Sequence, residues 1–470
     1  MKRTQTCNIL AITALAATVL SASAQTPSAE ALINKLVAKG VLTDNEAKEL
    51  MSEGAQTNQA SASRWKLSDS IKSIGLFGDV RLRYEYRGAE NAAGSGATGG
   101  TYQRDRFRYA VRLGIRGDLF DDFYYGLRVE TSSNARSPWV TFGDDGNPTP
   151  SAKNSDTVGI GQVYLGWRPT GWLELTVGRM PMPLYVTPMI WDADINPEGA
   201  VEKFKYSTGD VDWFATFGQF VYQDTNPDNG VPSSDTFLLA WQVGANVKLA
   251  KDTSFKIAPV IYTYTGRGQN NGVNLPFSGQ GLNGLNPNSS GYNQNGINDL
   301  LVLETPAEFN FKVGRYNARA FGDFAYNFSG DSRAQAAAAA TAPAGGLPHA
   351  VLGQDKAYLV GFGFGNLGLV YGQTSKKNTW EARVYWQHVE QYAADVNLLD
   401  SDFFEGRANL EGIYTAFAYS FTDSIIGTVR YGYAKPINGQ LGTGGNNPDL
   451  PILNPINNYN LIQLDLTWRF

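Results

Sequence analysis

From Gly75 onward, apolar and polar side chains alternate with a period of two. The clearest stretch is Arg104 to Gly117, where Arg104, Arg106, Arg108, Arg112 and Arg116 share one parity while Phe107, Tyr109, Val111, Leu113 and Ile115 occupy the other. Successive side chains of a strand point to opposite faces, so this segment has one charged and one apolar face. Comparable segments continue from Gly75–Arg87 to Asn460–Phe470, about 16 in all, an even count of the kind found in closed transmembrane barrels. No helical segments of matching number are available to cover the apolar faces, which leaves lipid as their cover. An Arg facing the bilayer midplane costs about 2–4 kcal/mol, so the arginines must face the interior. The pattern therefore predicts an all-β fold, a transmembrane antiparallel up-and-down β-barrel spanning residues 75–470.

The connections support this reading. Short turns at Pro169-Thr170-Gly171, Ser207-Thr208-Gly209-Asp210, Ala250-Lys251-Asp252, Gly314 and Thr422-Asp423 alternate with long Gly/Asn/Pro/Ala-rich loops, as expected of a barrel with short periplasmic turns and long outer loops. The alanine run Ala336 to Ala340 falls in an outer loop and reads as low-complexity filler. Upstream the period changes. Leu32, Ile33, Leu36 and Val37 recur at helical spacing, Gly40 stops the first helix, and Thr43-Asp44-Asn45-Glu46 forms a capping box. Residues 25–55 are expected to be a periplasmic helical hairpin and 56–74 a linker. Residues 1–24 combine Lys2 and Arg3, an apolar stretch and Ala22-Ser23-Ala24, the signature of a cleaved signal peptide.

Composition narrows the chemistry. Without Lys2 and Arg3, 37 of the 39 basic residues remain against 44 acidic ones, taking the net charge from -5 to -7, which argues against a nucleic-acid partner. The single cysteine, Cys7, lies in the leader, so neither a disulfide nor a thiolate metal site is expected in the mature chain. Only His349 and His388 are available as catalytic bases, one in an Ala/Gly/Pro-rich loop and the other sharing parity with Trp380, Val384 and Trp386. Neither has an evident partner, so no catalytic residue, metal or cofactor is expected.

By parity, Arg81, Arg83, Arg87, Arg104, Arg106, Arg108, Arg112, Arg116 and Arg128 form an interior basic wall on three adjacent strands, partly offset by Asp79, Glu85 and Glu130. The third outer loop, Met180 to Glu198, carries Asp192, Asp194 and Glu198 among Leu184, Met189, Ile190 and Trp191. A loop this apolar should be buried. Insertion into the barrel would set its carboxylates opposite the arginines. Packing over a subunit interface, or cation binding by Asp192 and Asp194, are the alternatives.

The last segment sets Gln463, Asp465, Thr467 and Arg469 against Ile462, Leu464, Leu466, Trp468 and Phe470. It resembles the closing strand of outer-membrane proteins, which implies that Phe470 is a recognition signal for the barrel-assembly machinery. Trp468, Tyr459 and Trp172 are candidates for the aromatic girdle. Several further stretches resemble the bacterial putative-porin family: the leader Ala31 to Leu50, the run Gly178-Arg179-Met180-Pro181-Met182-Pro183 followed by Trp191-Asp192-Ala193-Asp194 and Pro197-Glu198-Gly199, and Asp400-Ser401-Asp402-Phe403. The resemblance implies an outer-membrane porin in contact with lipid, general-porin-like in topology, that passes small hydrophilic solutes and ions by diffusion. A homotrimer is the accompanying expectation. Separately, the excess of inward basic over acidic residues on the first three strands, with Lys248 and Arg430 against Glu304 and Glu308 further on, predicts a weak anion preference. A structural envelope tether and a hydrolase on a barrel scaffold stay open as alternatives.

Overall fold

In a computed structural model of the chain, the described residues are 68–91, 101–132, 137–143, 157–224, 236–266, 300–341, 349–366, 374, 376–443, 450 and 455–470. The expected signal peptide, helical hairpin and most of the linker lie outside them. Residues 70–470 form one compact unit.

That unit is a single antiparallel sheet closed on itself as a barrel of 16 strands. In chain order these are β1 (Gly75–Asn91), β2 (Thr101–Asp118), β3 (Phe123–Ser132), β4 (Thr157–Thr170), β5 (Leu173–Arg179), β6 (Glu198–Thr208), β7 (Val211–Gln223) and β8 (Thr236–Ala250). The second half comprises β9 (Thr253–Ile257 and Val260–Gly266), β10 (Leu301–Glu304 and Ala307–Val313), β11 (Tyr316–Asn327), β12 (Lys356–Gly365), β13 (Trp380–Val389), β14 (Leu410–Ser420), β15 (Ile425–Pro436) and β16 (Ile456–Arg469). Each strand pairs with its sequence neighbours, and β1 pairs with β16 from Asp79↔Arg469 to Asn91↔Ile456 to close the ring. A short piece, Val140–Thr141, patches the edge of β2 beyond the reach of β3.

Two strands are interrupted at proline. Pro259 in β9 and Pro306 in β10 cannot donate to the ladder. Their carbonyls still accept, from Val243 N at 3.1 Å and Ala258 N at 3.0 Å, so the two breaks sit side by side without opening the wall. The alanine run is helical. It belongs to α1 (Gly330–Thr341), the helix among the described residues, as the high helix propensity of Ala favours.

Parity sorts the wall as the alternation requires. Leu82, Phe107, Val163, Val243, Val360, Phe417 and Leu464 are exposed on the outward face, while Arg83, Arg108, Gln242, Asp323, Gln387 and Asp465 are buried on the inward one. The packed core therefore lies inside the barrel. It joins inward residues such as Val260, Tyr262, Val302, Phe321 and Tyr385 to side chains from two connections, residues 180–197 and 390–409.

Trp468 and Trp172 are exposed on the outer surface as girdle residues would be, but Tyr459 is not among them. It is buried, and its hydroxyl accepts from Arg87 Nη1 at 2.7 Å. Its parity, shared with Leu461 and Gln463, already directed it inward.

Candidate functional site: the barrel interior

Gly178 and Gly199 face each other at the neck of the third outer loop. Gly178 has φ +115, and a Cβ there would meet Val163 O at 2.3 Å, so the GRMPMP run begins with glycine for a backbone reason. Met180 N donates to Pro197 O at 3.0 Å and closes the neck. Beyond it the loop turns inward. Gln242 of β8 holds its backbone at Tyr185, accepting from the N–H at 2.8 Å and donating to the carbonyl at 2.7 Å.

Side chains then fasten the loop to opposite walls. Asp194 accepts from Arg112 of β2, Trp191 Nε1 donates to Glu304 of β10 at 2.7 Å, and Thr187 Oγ1 donates to Asp323 of β11 at 2.5 Å. In a ring of 16 strands β2 and β10 are diametrically opposed, so these contacts require the loop to cross the interior. Apolar side chains supply the driving force: Met189 and Ile190 are wholly buried and Trp191 is 3 % exposed.

A second loop, residues 390–409, crosses along another diameter. Asp395 accepts from Tyr222 of β7 at 2.5 Å and Tyr264 of β9 at 2.9 Å, whereas Asp402 accepts from Arg83 of β1 at 2.8 Å and Gln463 of β16 at 3.0 Å. Phe403, Phe404, Leu398 and Leu399 are buried in the same core as the third loop. The two loops also bind each other: Asp192 N donates to Leu398 O at 2.8 Å, and Ser401 N donates to Asp192 Oδ2 at 2.8 Å. Burial, with the neighbouring Asp194 charge, pushes the Asp192 carboxyl up to about 6. Burial and the charges of Asp192 and Asp402 push Asp400 up as well. Enclosure by the surrounding protein acts the same way on Asp402, although its side chain keeps 35 % of its surface open to the interior space, but Arg83, Arg430 and Arg87 outweigh it and hold that carboxyl well below the usual range.

The nine arginines singled out from sequence all belong to inward rows of β1–β3, but few of them are unencumbered. Glu85 lies among Arg106, Arg87 at 3.2 Å, Arg108 at 3.6 Å and Arg83 at 3.7 Å. Arg83 also pairs with Asp465 at 2.8 Å and stacks 4.0 Å from the Trp139 ring centroid. Arg87 reaches Glu405 at 3.3 Å. Arg81 pairs with Asp79, and Arg128 with Glu130 at 2.9 Å. Arg104 stands opposite Arg87 in register, and Arg116 is exposed beside the Phe77 ring. The wall is thus an ion-pair lattice more than a bare positive surface.

Of the three acidic residues assigned to the third loop, Asp192 joins the two loops and Asp194 meets Arg112. Glu198 does neither. It opens β6 with the outward parity of Ala200 and pairs with Arg179 at 3.1 Å in an exposed contact. Glu304, Asp323, Asp395, Asp402, Glu405 and Asp465 carry contacts that sequence reasoning did not assign. One signal was available: 390–409 combines Leu398, Leu399, Phe403 and Phe404 with acids, the same apolar-acidic composition that marks 180–198.

His388 likewise gains partners it was not expected to have. Its Nδ1 lies 3.0 Å from Glu411 and its Nε2 3.5 Å from Glu390, with the ring stacked on Tyr358. This cluster has the outward parity of Trp386. Among the described residues no group of three or more His, Cys, Asp or Glu is arranged to hold a metal ion.

A closed barrel with an apolar exterior and a charged, loop-narrowed interior is a transmembrane barrel of the porin class. The sequence pattern of the family described as "Putative porin" matches residues 89–312 and 302–470, and the chain belongs to that family. No curated protein matches it. Among solved structures, the high-pH structure of Pseudomonas putida OprB is 12% identical, with 87% of this chain and 97% of that chain covered and a TM-score of 0.46. Salmonella typhi OmpF in complex with daunomycin is 11% identical, with 86% and 99% covered and a TM-score of 0.43.

Proposed function

We propose that the protein is an outer-membrane porin through which small hydrophilic solutes and ions diffuse passively, with a weak preference for anions. The observation that carries this reading is the division of one closed wall into an outward apolar face and an inward charged face. Lipid satisfies the first and water the second. Family and fold point to a channel rather than an enzyme.

The anion preference rests on inward rows near the short-turn end. Arg116, Arg168, Lys203, Lys205 and Lys248 stand there against Asp118, Glu174 and Asp212. Nearer the loops, the arginines of β1–β3 meet the carboxylates of Asp194 and Asp402 across the interior, a field that orients charged or dipolar solutes. Screening over about 8 Å at physiological salt keeps the preference small.

A homotrimer fits one feature of the outer surface. Gln219 donates to Glu202 at 2.9 Å on the outward rows of β6 and β7, a polar pair that a neighbouring subunit would cover better than lipid. Phe470, exposed at the β1–β16 seam and paired with Gly78 through N–H···O bonds of 2.9 and 3.1 Å, is the proposed signal for the barrel-assembly machinery.

Proteoliposomes test the channel: neutral sugars of increasing size should permeate at falling rates, and vesicles that stay sugar-tight would refute it. The zero-current potential across unequal KCl tests the refinement, with chloride modestly favoured. A cation preference would overturn that charge balance while leaving the channel standing.

A further inference from the structure

The sequence marks only the third loop as a constriction, but the second inserted loop has the stronger claim to the charged side of the passage. We infer that residues 390–409 form the other wall of the narrow zone and that Asp402, at the β1–β16 side of that loop, is a selectivity-determining residue. The inference rests on the porin reading.

Position comes first. The loop is anchored at one end of a barrel diameter by Asp395 on Tyr222 and Tyr264, and at the other by Asp402 on Arg83 and Gln463. Strands β9 and β1, which carry Tyr264 and Arg83, are diametrically opposed in a ring of 16. Joined to the third loop through Asp192, Leu398 and Ser401, it occupies the middle of the interior with it. A solute crossing the barrel must pass the surface these loops leave open.

Exposure then selects the residue. Asp395, Glu405 and Arg407 of this loop are at most 2 % exposed and consumed by internal contacts. The Asp402 side chain is 35 % exposed. Its Oδ1 accepts both bonds, from Arg83 and Gln463, and Oδ2 has no hydrogen-bond partner among the described residues. One carboxylate oxygen is therefore free for water or a passing cation.

Charge balance fixes the sign. Around this point six guanidinium groups, those of Arg83, Arg87, Arg106, Arg108, Arg407 and Arg430, face the four ion-paired carboxylates of Glu85, Glu405, Asp402 and Asp465. A fifth, Asp400, accepts from Asp402 N at 3.0 Å, has no salt bridge among the described residues, and is pushed towards its neutral form by burial and by the charges of Asp192 and Asp402. Asp402 is the carboxylate of the four that reaches water, the others being no more than 3 % exposed at the side chain. Removing its charge leaves the arginine field less opposed where ions pass, so anions gain.

The test is the zero-current potential of parent, Asp402→Asn and Asp402→Glu proteins in planar bilayers with unequal KCl. Asn keeps an oxygen for the Arg83 and Gln463 bonds while losing the charge, and Glu keeps the charge. In about 0.1 M salt the chloride-to-potassium permeability ratio of Asp402→Asn should rise about twofold, and the rise should vanish near 1 M, where charges are screened within about 3 Å. Asp402→Glu should remain close to the parent. An unchanged ratio in Asp402→Asn, or a change of equal size at both salt concentrations, would overturn the assignment, because the first removes the charge effect and the second shows a change of pore shape. If the parent itself does not conduct, the porin reading fails instead.

Discussion

At the scale of single residues, burial determines which charges act. Asp192 sits between the two inserted loops and accepts from Asp194 N and Ser401 N, each at 2.8 Å. Its carboxyl is raised from 3.8 to about 6, chiefly by burial. The docked state therefore binds a proton more tightly than the undocked one, so docking is firmest below 3.8 and weakens as pH rises towards about 6. Closures or current noise arising from these loops should increase across that interval, and Asp192→Asn should flatten the dependence. A parent whose noise is constant from pH 4 to pH 7 would contradict the coupling. The inward direction of Arg83 or Arg112 was legible in the alternation of β1 and β2. Their partners were not, because Arg83 meets Asp465 across a separation of 382 residues that no local pattern records.

At the scale of elements, the strands were legible, insertion of 180–198 was one of the readings its apolar content allowed, and the path of 390–409 was not legible. A period of two, with short and long connections in turn, is a property of each segment by itself, so strands emerged near their true limits. The breaks at Pro259 and Pro306 are marked by the prolines themselves, but the apolar residues that continue on both sides hide them from a reading of the period. The inward path of 390–409 depends on a fit between distant parts: Phe403 packs against Gly432 of β15, where a Cβ would stand 2.6 Å from the ring. Gly432→Ala should cost about 1–3 kcal/mol through overpacking, enough to displace the loop without opening the barrel. Raised single-channel conductance and new proteolytic cuts within 390–409 are the expected results. Normal conductance and protection would show that this contact does not hold the loop.

At the scale of the whole molecule, closure turns alternation into function. The β1–β16 seam continues past the last ladder pair to Gly78 and Phe470, so each of the sixteen strands has two neighbours. The outward face then meets lipid, and the interior, crossed by two loops, meets water. The barrel was readable because lipid imposes one rule on all outward positions. How far the interior is filled was not, because it depends on which loops find apolar seats inside. The most direct test is the current across a planar bilayer receiving purified protein that migrates as a folded, heat-modifiable species. The account predicts discrete upward steps of similar size that scale with salt concentration. Folded protein that inserts and leaves the bilayer insulating would contradict it.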